Sequence, residues 1–213
     1  MLQKLGCGTL AAAVVGAAVA LAGPARAATI IDEWNSVKVP PPPELKPVTV
    51  DPKTTALLVL DLLKQSCNDK VRPRCVASLP KVHHLLEEAR ANSLLVVHSI
   101  FPGRKFADTL PQVAIQAGEP EVEARADKFI DTDLAKILKD HGIKTVIVVG
   151  TAAEGAVLYT ASDAAMRGIK AIVPVDGASS NLLYNEQFVA YALTHAPTIA
   201  NNVTLTRIDM IKF

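Results

Sequence analysis

The sequence predicts an α/β protein whose parallel sheet lies between layers of helices. Two observations lead there. From Thr55 onward, short apolar runs rich in Val, Ile and Leu alternate with longer stretches of helical period. The runs are apolar at consecutive positions rather than at every second one, as in strands covered on both faces. Alternation at this spacing builds right-handed βαβ units, and ligands of such sheets gather at the carboxyl ends of the strands.

The elements follow in order. Residues 56–63, ALLVLDLL, form the first buried strand. Residues 79–92 have the spacing of an amphipathic helix, with Pro80 in its first turn. SLLVVHSI, residues 93–100, is the next strand. A long connection, 101–126, is rich in Pro, Gly and charge and reads as a site loop with a short strand at 121–125. Residues 131–141 predict a helix closed by Gly142. KTVIVVG is a strand, 154–167 a helix ended by Gly168, and KAIVPVDG a strand. Residues 185–195 predict a helix capped by Asn185, and NNVTLTRI closes the sheet as an edge strand.

Residues 1–27 read as a secretory leader: a charged start with Lys4, an apolar small-residue stretch, and an A-x-A ending with cleavage expected after Ala27. Removing it takes away Lys4 and Arg26, lowers the formal charge from +1 to −1 and leaves one domain's length of chain. The expected location is periplasmic or secreted, with no membrane contact after cleavage. No basic face stands out, which argues against nucleic acid as a partner. Residues 28–54, with PPPPELKP, predict an extended Pro-rich arm, in which Ile30, Ile31 and Trp34 supply apolar surface for docking on the domain, residues 55–213, the alternative being a flexible spacer. Cys67 and Cys75 flank the polar stretch NDKVRPR; in an oxidising compartment this predicts a disulfide, the alternative being two free thiols. No His/Cys cluster supports a zinc site, and no cofactor is expected.

The strand ends direct attention to Asp61, His98, residues 150–156 and Asp176. Asp61 interrupts an apolar run, where partial desolvation raises a carboxyl pKa and suits it to acid/base work; the alternative is a turn cap. Lys128 precedes a predicted helix and could orient a carboxylate, or be a solvated lysine. GTAAEGA, with Thr151, Ala152, Glu154 and Ala156, offers backbone N–H groups at a helix start, a geometry that stabilises an oxyanion, or is an ordinary strand–helix link.

The blocks LLVLDLLKQS, ADKFIDTDL, VIVVGTAAEGAVLYTASDAAMRGI and VPVDGASS resemble the isochorismatase-like, or cysteine hydrolase, superfamily, from Thr55 to about His195. The resemblance implies a three-layer α/β/α fold with a six-stranded, mostly parallel, Rossmann-like sheet. It implies a catalytic Asp at Asp61 and a Lys at Lys128. The family's nucleophilic Cys falls on Ala156, and its oxyanion donors on the N–H groups of Ala152 and Ala156, with a cis peptide typical before Ala152. The metal-binding Asp/His cluster of nicotinamidases has no clear counterpart, since His98 alone is insufficient. Isochorismatases also lack the Cys and hydrolyse a vinyl ether with the Asp as general acid.

Alanine offers no nucleophile. Two function classes remain: a hydrolase of a small polar or anionic substrate that forms no covalent Cys intermediate, and a catalytically inactive small-molecule-binding pseudoenzyme. Retention of Asp61 and Lys128 favours the first. Export argues against isochorismate itself. Half-buried helices permit a homo-oligomer.

Overall fold

The computed structural model describes residues 28–213, so the predicted leader, with Cys7, lies outside the described residues. Two compact units divide the described residues, one ending at Val39 and one of residues 40–213. In the first, a single helical turn, α1 (Ile30–Glu33), interrupts the start of the predicted extended arm. Its cause is a capping box: the Thr29 N–H and hydroxyl both donate to Asp32, 2.8 Å away. Ile30, Ile31 and Trp34 are exposed.

The rest of the predicted arm belongs to the second unit. There β1 (Val48–Thr49) is followed by β2 (Thr55–Leu60), α2 (Pro73–Ala91), β3 (Leu95–Ile100), β4 (Glu121–Glu123), α3 (Leu134–Asp140) and β5 (Thr145–Thr151). A π-helical turn, Ala153–Val157, then leads into α4 (Leu158–Met166), β6 (Lys170–Pro174), β7 (Ala178–Ser179), α5 (Leu183–His195), β8 (Val203–Thr206) and β9 (Ile211–Lys212). The main sheet is parallel in every pairing, in the order β4-β3-β2-β5-β6-β8, with β7 added beside the end of β5. It therefore has seven strands rather than six; the extra one is two residues long, too short to leave a periodic signal. β1 pairs with β9 in a separate two-stranded ribbon.

Alternate residues of the strands feed two cores. Leu58, Leu60, Val97 and Val148 pack with α3, α4 and α5. Leu57, Val59, Val96 and Val149 pack with α2. This gives three layers and explains the unbroken apolar runs.

Three helix boundaries differ from expectation. α2 begins at Pro73, which holds the first-turn position, and so Pro80 lies inside the helix on its exposed side. Asp131 takes a left-handed conformation, φ +56°, which keeps it out of α3. Asn185 lies inside α5 rather than capping it. Gly142 and Gly168 close α3 and α4 as expected, each with positive φ.

Candidate active site

Every residue of β2 is buried, and the chain leaves the sheet at Asp61 with φ +55°, a left-handed conformation that Asp tolerates better than most residues. The Ser66 hydroxyl and the Leu63 N–H fix this turn by donating to the Asp61 carbonyl, at 2.6 and 2.9 Å. The carboxylate is also held. Its Oδ1 accepts from the Ser99 hydroxyl and its Oδ2 from the Lys128 ammonium, both at 2.8 Å.

Lys128 is 0% exposed. The loop after β4 wraps its Nζ, which also donates to the carbonyls of Ala124 at 2.9 Å and Arg125 at 2.7 Å. With the Ile100 carbonyl at 3.5 Å as a longer fourth acceptor, all three protons are met, which removes the penalty of burying a bare ammonium. The Lys128 N–H donates to Thr160 Oγ1 on α4, 3.1 Å away, which ties the loop to the helix after the turn.

Burial pushes the Asp61 carboxyl above the ordinary Asp range, against the smaller opposing pull of Lys128, Ser99 and Arg72. Burial likewise pushes the Lys128 ammonium down, opposed by Asp61. A carboxyl raised in this way keeps its proton closer to neutral pH than an exposed Asp does, which equips it as an acid.

The turn comes next to Asp61 because Leu60 pairs with Gly150 across β2 and β5. A Cβ at Gly150 would lie 2.0 Å from the Leu60 carbonyl oxygen, and the residue has φ +135°; only glycine fits this approach. The Thr151–Ala152 peptide is cis. Thr151 Oγ1 donates to the Ser179 carbonyl at 2.9 Å, fastening the turn to β7. The Ala152 carbonyl accepts from Gly155 and Val157, at 3.1 and 3.3 Å. Ala156 is buried. What the turn brings to Asp61 is thus backbone and methyl groups.

His98 is not part of this group. It faces α2 on the opposite side of β3, with Nε2 2.9 Å from Glu119 Oε2. Successive strand residues point to opposite faces, so its neighbour Ser99 reaches Asp61 instead. Sequence reasoning missed Ser99; the strand was legible, but which of its faces carried the site was not. Glu154 turns toward α5, where Asn185 Nδ2 donates to it at 2.8 Å. Asp176 pairs with Lys81 and accepts the Ile208 N–H. Cys67 and Cys75 form a disulfide. No group of three or more potential ligands is placed to hold a metal ion among the described residues. A cleft of about 480 Å³ opens against the loop that holds Lys128, lined by residues including Ala124, Arg125, Asp127, Ile130 and Tyr159.

The family model of the Isochorismatase domain matches residues 55–207. The chain belongs to the isochorismatase family. A curated relative in this family, the "Secreted isochorismatase effector Isc1" of Verticillium dahliae, is 29% identical over 142 residues, covering 61% of this chain and 75% of the relative. An isochorismatase-like hydrolase from Alkaliphilus metalliredigens is 25% identical, with a TM-score of 0.66, over 73% of this chain and 95% of that one. The N-carbamoylsarcosine amidase of Thermoplasma acidophilum shares the fold, with 23% identity and a TM-score of 0.64 over 73% of this chain and 97% of its own.

Proposed function

We propose that the protein is an exported hydrolase that acts on a small polar or anionic molecule by acid/base chemistry, without a covalent Cys intermediate. One observation carries this reading. Residues 28–213 contain two cysteines, and they are bonded to each other, so the described chain offers no thiol while the buried acid remains. Asp61 then acts as general acid, giving its proton to the substrate; water adds to the cation so formed and returns a proton to Asp61, and the neutral adduct collapses with departure of the leaving group. Lys128 balances the charge left on Asp61, and the N–H groups of Ala152 and Ala156 serve as oxyanion donors. The secreted relative supports export. Because it is named an isochorismatase, it also reopens vinyl ethers of the isochorismate type, which export alone argued against.

The test is a panel of vinyl ethers and amides with the wild type and Asp61→Asn. The variant should lose about a hundred- to ten-thousand-fold in rate. An unchanged rate would place the chemistry elsewhere. Ala156→Cys should bring a thiol beside Asp61 and introduce amidase activity.

The pseudoenzyme reading keeps one point in its favour: both Asp61 carboxylate oxygens are already engaged by Ser99 and Lys128. Ligand binding beside Asp61 with no turnover of any substrate would establish it.

A further inference from the structure

We infer that Arg72 is the anion-recognition group of this site, taking a carboxylate or phosphate of the bound molecule beside Asp61. Calling that molecule a substrate rests on the hydrolase reading; the binding itself does not.

Arg72 precedes α2, inside the loop closed by the Cys67–Cys75 disulfide. Its Nη1 donates to the Ser66 carbonyl at 2.9 Å, and the Ser66 hydroxyl donates to the Asp61 carbonyl at 2.6 Å. Two hydrogen bonds therefore connect the guanidinium to the backbone of the acid.

The rest of the guanidinium is unused. Nε is buried with no acceptor, and no carboxylate pairs with Arg72 among the described residues. Arg74, Arg90, Arg167 and Arg207 each face one. A half-buried cation with unmet donors and no counter-ion is costly to hold, and a bound anion would remove that cost. The planar fork matches carboxylate or phosphate with two parallel hydrogen bonds.

The loop is also preorganised. The Asn68 carbonyl accepts the N–H of Arg72 at 2.8 Å, and the Asn68 side chain accepts those of Lys70 and Val71. Little ordering is left to do on binding.

Recognition and chemistry are coupled here. Besides Lys128 and Ser99, Arg72 is the group that acts to hold the Asp61 carboxyl down. An anion that neutralises Arg72 weakens that hold and favours the protonated, acidic form of Asp61.

The experiment is calorimetric titration of the disulfide-bonded protein at low ionic strength with inorganic phosphate and, separately, with benzoate. At least one should bind, and which one distinguishes phosphate from carboxylate. Arg72→Met should weaken that binding about ten- to a hundredfold. Arg72→Gln keeps a neutral donor for the Ser66 carbonyl and should show the same loss, which separates recognition from misfolding. Failure of the wild type to bind either probe, or wild-type affinity in either variant, overturns the inference. Asp61→Asn should retain anion binding. Hydrolysis that survives Asp61→Asn removes the acid role and leaves Arg72 standing, whereas anion binding that survives in the Arg72 variants removes Arg72 and leaves the acid.

Discussion

The two faces of β3 carry two buried charged clusters from neighbouring residues. Ser99 joins Asp61 and Lys128 on one face. His98 joins Glu119 and Arg90 on the other. Their carboxyls respond in opposite ways. Burial works to raise both, and at Asp61 it wins. At Glu119 the hydrogen bonds of Arg90 and the Gln116 N–H, with the charges of His98 and Arg90, overcome it and hold the carboxyl below the ordinary Glu range. Arg90 grips Glu119 with Nε and Nη2, at 2.8 and 2.9 Å, whereas Lys128 offers Asp61 one proton and spends the others on carbonyls. A bidentate arginine makes a clamp between α2 and the site loop. A shared lysine leaves an acid.

The largest way to break this contrast is to remove each cation. Lys128→Met strips the partner from a buried carboxylate and the donor from two carbonyls, and should cost about 3–5 kcal/mol of stability. Arg90→Met removes charge-assisted bonds from Glu119, which keeps the Gln116 N–H at 2.8 Å; about 1.5–3 kcal/mol is expected. Urea unfolding at neutral pH measures both. Equal losses would mean that the clusters do not differ in the way described.

The next largest effect tests the covalent brace, which packs on the α2 face of the sheet but follows the Asp61 turn in the chain. The disulfide closes a loop with a sequence separation of 8, directly after the Asp61 turn. Replacing both cysteines with serine should cost about 2–3 kcal/mol, the loop-closure entropy of so short a ring. The Asp61 carboxyl resonance should shift while the His98 ring titrates as before. If the His98 titration moves instead, the loop braces the wrong cluster.

Much of this contrast was legible in the sequence, though unevenly. Asp61 announced itself by interrupting an apolar run, and the unbroken strands gave the layered fold. The cysteine pair was legible because its spacing encloses a polar loop in a chain whose start reads as a secretory leader. His98 was misassigned and Ser99 missed because period-two alternation says only that neighbours face apart, and apolar residues on both sides hid which face was which. Ala156 was invisible as chemistry, since a methyl group carries none; the strand–turn–helix pattern and the resemblance of the surrounding block drew attention to it. Arg72 was hidden because a basic residue in a polar loop looks solvated until its burial and missing counter-ion are seen.

The smallest and most specific effect concerns pH. Burial pushes the His98 imidazole below its ordinary value, despite Glu119 beside it. The unfolded chain therefore takes up a proton first as pH falls below about 6.5, and the stability associated with neutral His98 is lost from there down toward its folded pKa. Asp61 has the opposite sign: its raised pKa means that the folded state takes up its proton first, so acidification through that range adds stability. His98→Gln keeps a donor for Glu119 and removes the titration. Each proton taken up only by the unfolded state costs up to about 1.4 kcal/mol per pH unit. Between neutral pH and about pH 5 the variant should therefore lose less stability than the wild type, with the Asp61 contribution unmasked as a shallower fall or a gain. Urea midpoints measured at half-unit intervals decide it. Parallel curves for wild type and variant would show that His98 is not held neutral by burial, and the contrast between the two faces of β3 would then rest on the carboxyls alone.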